Sequence, residues 1–348
     1  MRTPVSVGIV GGHPSAEQIA LAFAELPQAE VRWLCGEWRA TGLSRRLGVR
    51  STERVDELLE DEELDAIALA APAGNRYRLA SDALEADKHV YVVGAPAKQS
   101  EQAGALLRQA QDRGRHLFGG HSRLWDPALE KLEELLRAGE LGEVLYLRAE
   151  RHICGRTANE DDLLWGAGAE EVAVILHLLG DEPVSVEARG ETFLDPAAFD
   201  VLHCWLAFAT GITAQVTLSA LDASPASQLA LVGSNATAVL DSSPSSSTRR
   251  LSVCRKGVSG PRTEGTAFVP GDVFSPQTGS EEPVRRSCEA FLSAIRSASA
   301  PIAAGREAAI LVETLEGIQR SLVRGGLINL GLGRPAKDLR LVGGPSAS

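Results

Sequence analysis

Positive charge is in short supply in this chain. Its 348 residues carry 35 Lys and Arg against 46 Asp and Glu, a formal net charge of −11. A phosphate backbone repels such a surface, which argues against nucleic acid as a partner. Long apolar runs are also lacking. None approaches the roughly 18 residues of a membrane span, so no membrane partner is expected. The opening MRTPVSVGIVGG enters a strand-like run without a charged leader and cleavage site, and a cytoplasmic location is expected. Paired cysteines are absent too. Cys35, Cys154, Cys204, Cys254 and Cys288 are odd in number, scattered, and show no CxxC spacing, which reads as free thiols in a reducing compartment. The 7 histidines are dispersed, and no HxxxH or HxxE cluster points to a metal, so none is expected.

Hydrophobic residues make up 44% and charged residues 23%, so a packed core is expected, and the length suggests two domains. Short apolar runs alternate with amphipathic ones over the first 120 residues. Strands are predicted at Val5–Val10, Glu30–Leu34, Asp65–Ala71, His89–Val93 and His116–Gly119. Helices are predicted at Ala16–Leu26, Arg39–Leu47, Thr52–Glu60, Asn75–Ala86 and Ser100–Arg113. Fully apolar strands separated by helices indicate a doubly wound parallel sheet, whose ligands bind beyond the strand carboxyl ends.

After Gly120 the pattern changes. Pro127–Arg137 has Pro at its start and Gly139 just past its end, a helix signature. Val144–Arg151 reads as a strand and Ala169–Leu179 as a helix closed by Gly180. The segments 184–189, 202–209, 212–218, 229–232, 237–240 and 251–255 follow without long helices between them, which suggests an open, mostly antiparallel sheet. Ser242–Thr248 and Gly257–Gly279 read as loops. Helices are predicted at Pro283–Ser297 and Gly305–Arg324. The expected domains are 1–123, a Rossmann-type nucleotide-binding-like domain, 124–334, an α+β substrate and dimerisation domain, and 335–348, a loose tail.

Many ordered segments carry a family resemblance: VGIVGG and the helix after it, Pro72 in LAAP, KHVYV at Lys88–Val92, GHSRLWDP at Gly120–Pro127, GELG at Gly139–Gly142, VAVILHLLG at Val172–Gly180 and VGSNATAVLD at Val232–Asp241. In this order they resemble the Gfo/Idh/MocA oxidoreductases across nearly the whole chain. The resemblance implies an N-terminal Rossmann domain, a C-terminal open sheet, a small-molecule substrate in the interdomain cleft, and a homodimer formed through the sheet.

The decisive positions of that family are altered here. Its GxGxxG loop reads Gly11-Gly12-His13-Pro14-Ser15-Ala16, with His13 for the second glycine and Ala16 for the third. A histidine Cβ narrows the approach to a pyrophosphate, and Pro14 removes a backbone donor. The acid that holds the ribose in NAD-binding members aligns with Gly36. No carboxylate at that position then repels a 2′-phosphate, and Arg39, beside Trp38, could pair with one, although the adjacent Glu37 works against it. The cofactor is therefore either absent or NADP. The Glu-Lys-Pro motif aligns without gaps with Val93, Gly94 and Ala95, or one place later with its proline at Pro96; under either register Gly94 or Ala95 replaces the lysine that would orient a substrate hydroxyl. The Asp-x-x-x-His pair aligns with Gly166 and Glu170. A carboxylate accepts a hydroxyl proton only if its surroundings favour the neutral form, and a helix start favours the ionised one.

Glu170, Glu171 and His152 are the candidate catalytic residues. Gly11, Gly12, His13, Ala16, Gly36, Trp38, Arg39 and Pro72 are the candidate cofactor contacts. Gly94, His121, Arg123, Trp125 and Trp165 are the candidate substrate contacts. Three functions stay open. The leading one is non-redox chemistry such as elimination, isomerisation or cyclisation, with Glu170 as base. The others are an NADP-dependent reductase with unusual acid–base groups, and a non-catalytic sensor or partner protein.

Overall fold

The computed structural model describes residues 4–12, 14–36, 42–155, 162–243, 250–259, 267–297 and 306–331. The contacts divide the chain into two units.

The first unit alternates strand and helix: β1 (Val5–Gly11), α1 (Pro14–Ala24), β2 (Ala29–Cys35), α2 (Leu43–Leu47), β3 (Arg50–Thr52), α3 (Val55–Leu59), β4 (Ala66–Ala70), α4 (Ala73–Glu85), β5 (His89–Val92), α5 (Ser100–Asp112) and β6 (Leu117–Gly119). The strands form one sheet in the order β3-β2-β1-β4-β5-β6, with every neighbouring pair parallel. Side chains of β1 and β4 are buried on both faces, which is why both read as unbroken apolar runs. The edge strand β3 falls between the predicted helices and overlaps the second only at Thr52; it went unpredicted because Arg50, Ser51 and Thr52 carry no apolar residue to mark them. The helix predicted at Thr52–Glu60 is correspondingly short, and the first residues of the one at Arg39–Leu47 lie outside the described residues.

The contacts group residues 281–297 and 306–316 with the first unit, although they lie within the expected domain 124–334. Cys288, Phe291 and Leu292 of α8 (Pro283–Ser297) are buried with Ile19, Phe23 and Tyr91 in one core. Phe291 stands edge-on to Phe23, Tyr91 and Phe118, with ring centroids 5.6–6.3 Å apart. The Tyr91 hydroxyl meets Ser287 Oγ at 2.9 Å. Each such ring pair contributes about 1 kcal/mol beyond its buried area, enough to anchor a helix distant in sequence.

The second unit begins with α6 (Pro127–Arg137), whose Ala128 N–H donates to the Asp126 side chain at 2.9 Å. Then come β7 (Val144–His152), α7 (Ala169–Leu179), β8 (Pro183–Glu191), β9 (Val201–Phe208), β10 (Thr213–Ser219), β11 (Ala226–Gly233), β12 (Ala236–Asp241), β13 (Leu251–Ser259) and β14 (Ala267–Phe274). The helix α9 (Arg306–Arg324) starts in the first unit and ends in the second, before β15 (Ile328–Asn329). The nine strands lie in the order β14-β13-β12-β11-β7-β10-β9-β8-β15, and only β7 and β10 are parallel. The loop expected over Gly257–Gly279 is corrected in part. β13 runs on to Ser259, and β14 pairs with it. Gly and Pro disguised this strand. β14 is an edge of the sheet, the kind of strand in which proline is tolerated. Residues 244–249 of the serine-rich segment and the tail from 332 lie outside the described residues.

Candidate active site

In a doubly wound sheet the ligand site lies beyond the strand carboxyl ends, where the strand order reverses. Here the reversal falls between β1 and β4. β1 ends at Gly11. A Cβ built on Gly11 would stand 2.7 Å from the Ala16 methyl and 2.7 Å from the Ala70 carbonyl oxygen. Only glycine lets β1, α1 and β4 approach so closely, and Ala16, fully buried, fills the space beneath it. Gly12 is exposed beside it. Pro14 is the first residue of α1. At that position the helix itself loses no bond, because the missing N–H is one it could not have used, but an anion at this helix start has one donor fewer. His13 lies outside the described residues.

β2 ends at Cys35, and the next residue, Gly36, has φ +129, a conformation that side chains avoid. Its N–H donates to the Thr52 carbonyl at 2.9 Å. The missing ribose acid is therefore built into the backbone. Trp38 and Arg39 lie outside the described residues. Pro72 precedes α4 and is exposed. These residues fit a dinucleotide, through the Gly11 turn and the start of α1; among the described residues no carboxylate stands at the end of β2, and Glu37, the next in sequence, lies outside them.

Gly94 follows β5 with φ +80 and is buried. A Cβ there would lie 2.8 Å from Nη1 of Arg76. Arg76 is 5% exposed. Its Nε donates to the Ala71 carbonyl at 2.8 Å, and its Nη1 to the Ala95 carbonyl at 3.3 Å. Sequence reasoning missed this residue. The signal was present: Ala73, Arg76, Ala80 and Ala83 recur at helical spacing, and all four are buried on one face of α4.

Around the end of β6, His121 is buried and Trp125 stacks on Phe118 with centroids 6.2 Å apart. The Trp125 carbonyl accepts from Arg286 Nη1 at 3.0 Å. Both residues pack as framework of the first unit, and Arg123 is half-buried on the same 3-10 turn, Ser122–Trp125.

The second unit holds the remaining candidates. Leu164–Gly168 forms a π-helical turn that runs into α7 without a break, Gly168 having φ −64 and ψ −38. Asp162 Oδ1 accepts from the N–H groups of Leu164 and Trp165 at 3.1 and 2.9 Å, the arrangement of an N-cap. The helical path thus begins well before Glu170. This corrects the expectation that Glu170 and Glu171 stand at a helix start, because the dipole effect fades within the first turn. Trp165, expected to wall a substrate pocket, is 1% exposed, and its indole donates to Gln319 Oε1 at 2.9 Å. Glu171 is fully buried, with Oε1 3.8 Å from Nη1 of Arg151. Glu170 is half-buried. His152 Nδ1 lies 3.7 Å from Asp222 Oδ1. Arg151 and His152 are adjacent in β7, so they point to opposite faces of the sheet. Glu171 and His152 are accordingly not brought together. Among the described residues no cluster of three or more His, Cys, Asp or Glu could hold a metal.

The sequence profile described as the oxidoreductase family with an NAD-binding Rossmann fold matches residues 5–121, and that of the GFO/IDH/MocA C-terminal domain matches residues 129–239. The chain belongs to the Gfo/Idh/MocA oxidoreductase family. Among its relatives, UDP-N-acetylglucosamine 3-dehydrogenase of Acidithiobacillus ferrooxidans is 29% identical over 192 residues, 55% of this chain and 59% of that protein. The dTDP-3,4-didehydro-2,6-dideoxy-alpha-D-glucose 3-reductase of Actinomadura kijaniata is 30% identical over 144 residues, 40% of this chain and 43% of that enzyme. The match thus spans less than two thirds of either relative. Solved structures share the fold more fully. GenD2 from gentamicin A biosynthesis, in complex with NAD, superposes with TM-score 0.81 at 21% identity, covering 95% of this chain and 98% of its own. A 3-ketoreductase from Actinomadura kijaniata, in complex with TDP-benzene and NADP, gives 0.78 at 20% identity, covering 92% and 98%.

The Arg76 guanidinium stands against Gly94. Among the described residues no helix is long and apolar enough to cross a membrane.

Proposed function

We propose that this protein is an NADP-dependent reductase that adds hydride to a keto group of a sugar-like small molecule. The observation that carries the reading is the pairing of Gly11 with Gly36. The tight turn at Gly11 leads β1 into α1 as a dinucleotide site requires, and Gly36, with φ +129, offers no carboxylate of its own to repel a 2′-phosphate. When bound, NADPH supplies the hydride. The chain supplies binding, exclusion of water and a proton. Glu170 aligns with the family's catalytic histidine, is half-buried, and sits in the first turn of α7 behind the π-helical turn that runs into it. It holds the proton that passes to the substrate oxygen as the new C–H bond forms. The relatives that act on nucleotide-linked sugars, one a dehydrogenase and one a reductase, support redox chemistry. They lend no support to the elimination, isomerisation or cyclisation that led the sequence-based expectations. The test is titration of the purified protein with NADPH and NADH, read by cofactor fluorescence. Tight NADPH binding with NADH weaker by about tenfold or more is the expected result, and no binding of either at millimolar concentration refutes the reading.

A homodimer is part of the same proposal. The face of the nine-stranded sheet that carries Tyr146 and Trp205, each 42% exposed, also carries Val273, 61% exposed, in the ladder row of Tyr146. Exposed apolar groups aligned in this way suit burial against a second copy. The cysteines Cys35, Cys204 and Cys288 are buried free thiols, consistent with the reducing cytoplasm.

A further inference from the structure

Arg76 is a buried cation on a helix face otherwise made of Ala and Leu. Burying a guanidinium is costly unless its N–H groups are met, and here the carbonyls of Ala71 and Ala95 meet two of them. Ala71 follows β4 and Ala95 follows β5, so one side chain ties together the carboxyl ends of two neighbouring strands. Both strands lie on the opposite side of β1 from β2. A dinucleotide in this fold places its adenosine ribose at the end of β2, which leaves the β4–β5 side for the nicotinamide half.

Gly94 belongs to the same arrangement. Any Cβ at 94 would meet Nη1 at 2.8 Å, so a side chain there and the guanidinium in this place exclude each other. The bare backbone at Gly94 is thus what leaves room for the guanidinium at this strand end. An arginine stays protonated throughout the working pH range.

We propose that Arg76 is the fixed cation of the nucleotide crevice. It takes the electrostatic place of the missing lysine and makes the site favour the neutral, reduced nicotinamide over the cationic, oxidised one. The inference rests on the cofactor reading above. A unit charge held about 10 Å from the oxidised ring, at an effective dielectric near 20, shifts relative affinity by roughly tenfold.

The experiment titrates full-length wild type, R76K and R76Q with NADPH by fluorescence and with NADP+ by calorimetry. In R76Q the ratio of the two dissociation constants, oxidised over reduced, is expected to fall roughly tenfold, while R76K, which keeps the charge, largely restores it. A purely structural role weakens both forms alike and leaves the ratio unchanged. An unchanged ratio in R76Q that binds both forms overturns the proposal and leaves the cofactor reading intact. Failure of the wild type to bind either form overturns both. If R76Q does not fold, the wild type carries the test: it is expected to bind NADPH more tightly than NADP+ by roughly tenfold, and equal affinities overturn the proposal.

Discussion

Glu171, fully buried in α7, holds Oε1 3.8 Å from Nη1 of Arg151, near the end of β7. Arg151 also donates to Ser227 Oγ at 3.1 Å, so the pair ties helix α7 to strands β7 and β11. The two partners differ in exposure: the Arg151 side chain is 32% exposed and that of Glu171 is 0%. Losing the arginine removes a cation from beside a carboxylate that has no solvent, whereas losing the acid leaves an arginine that water reaches. R151M should therefore destabilise the fold by about 2–3 kcal/mol and E171Q by about 1 kcal/mol. Urea denaturation of the two variants checks the order, and equal costs would refute the account.

Gly11 makes the sharpest packing prediction. Its Cβ position lies 2.7 Å from the backbone oxygen of Ala70, which a rotamer change cannot relieve. G11A should cost about 1–3 kcal/mol and abolish NADPH binding. Thermal melts and cofactor fluorescence test the two halves separately. Retained binding would mean that the turn does not carry the pyrophosphate.

Gly36 predicts a failed specificity switch. Restoring the ribose acid as G36D places a side chain at φ +129, a strain of about 1–3 kcal/mol. The variant should lose stability without gaining NADH affinity. A clean conversion to NADH preference, with an unchanged melting temperature, would contradict this.

The stability of the first unit should depend on pH through His89. Burial, helped by the neighbouring His116 and Arg115, pushes its pKa down to about 4. Its Nδ1 accepts the His116 N–H at 3.1 Å, a bond that needs the ring neutral there. The unfolded chain takes up a proton near pH 6.5, before the folded one does. Stability from this group is therefore complete above about pH 6.5 and declines as pH falls toward 4. Urea midpoints at pH 7.5 and 5 should differ, and H89N, which can still accept that N–H but does not titrate, should flatten the difference.

Trp205 tests the sheet face. W205E should convert a dimer to a monomer by light scattering while the melting temperature of the monomeric form stays within a few degrees. A wild type that is already monomeric at micromolar concentration would refute the proposed interface.

The chemistry and order of the residues were enough to establish the doubly wound sheet, most of the open antiparallel sheet and the family. Those features rest on local periodicity: unbroken apolar runs for β1 and β4, helical spacing for α6 and α7, and glycines just past helix ends. The tertiary structure decided what depends on contacts distant in sequence. It packed α8 into the first unit because Phe291 completes an aromatic core with Phe23, Tyr91 and Phe118. It lengthened the helical path ahead of Glu170, since Asp162 caps the backbone two and three residues on. It drew Trp165 into the core and set Arg151 and His152 on opposite faces. It placed Arg76 against Gly94, 18 positions apart, because neighbouring parallel strands bring their carboxyl ends together whatever length of helix separates them. The spacing of α4 carried Arg76 to the inner face, but only that strand pairing shows what the guanidinium meets there.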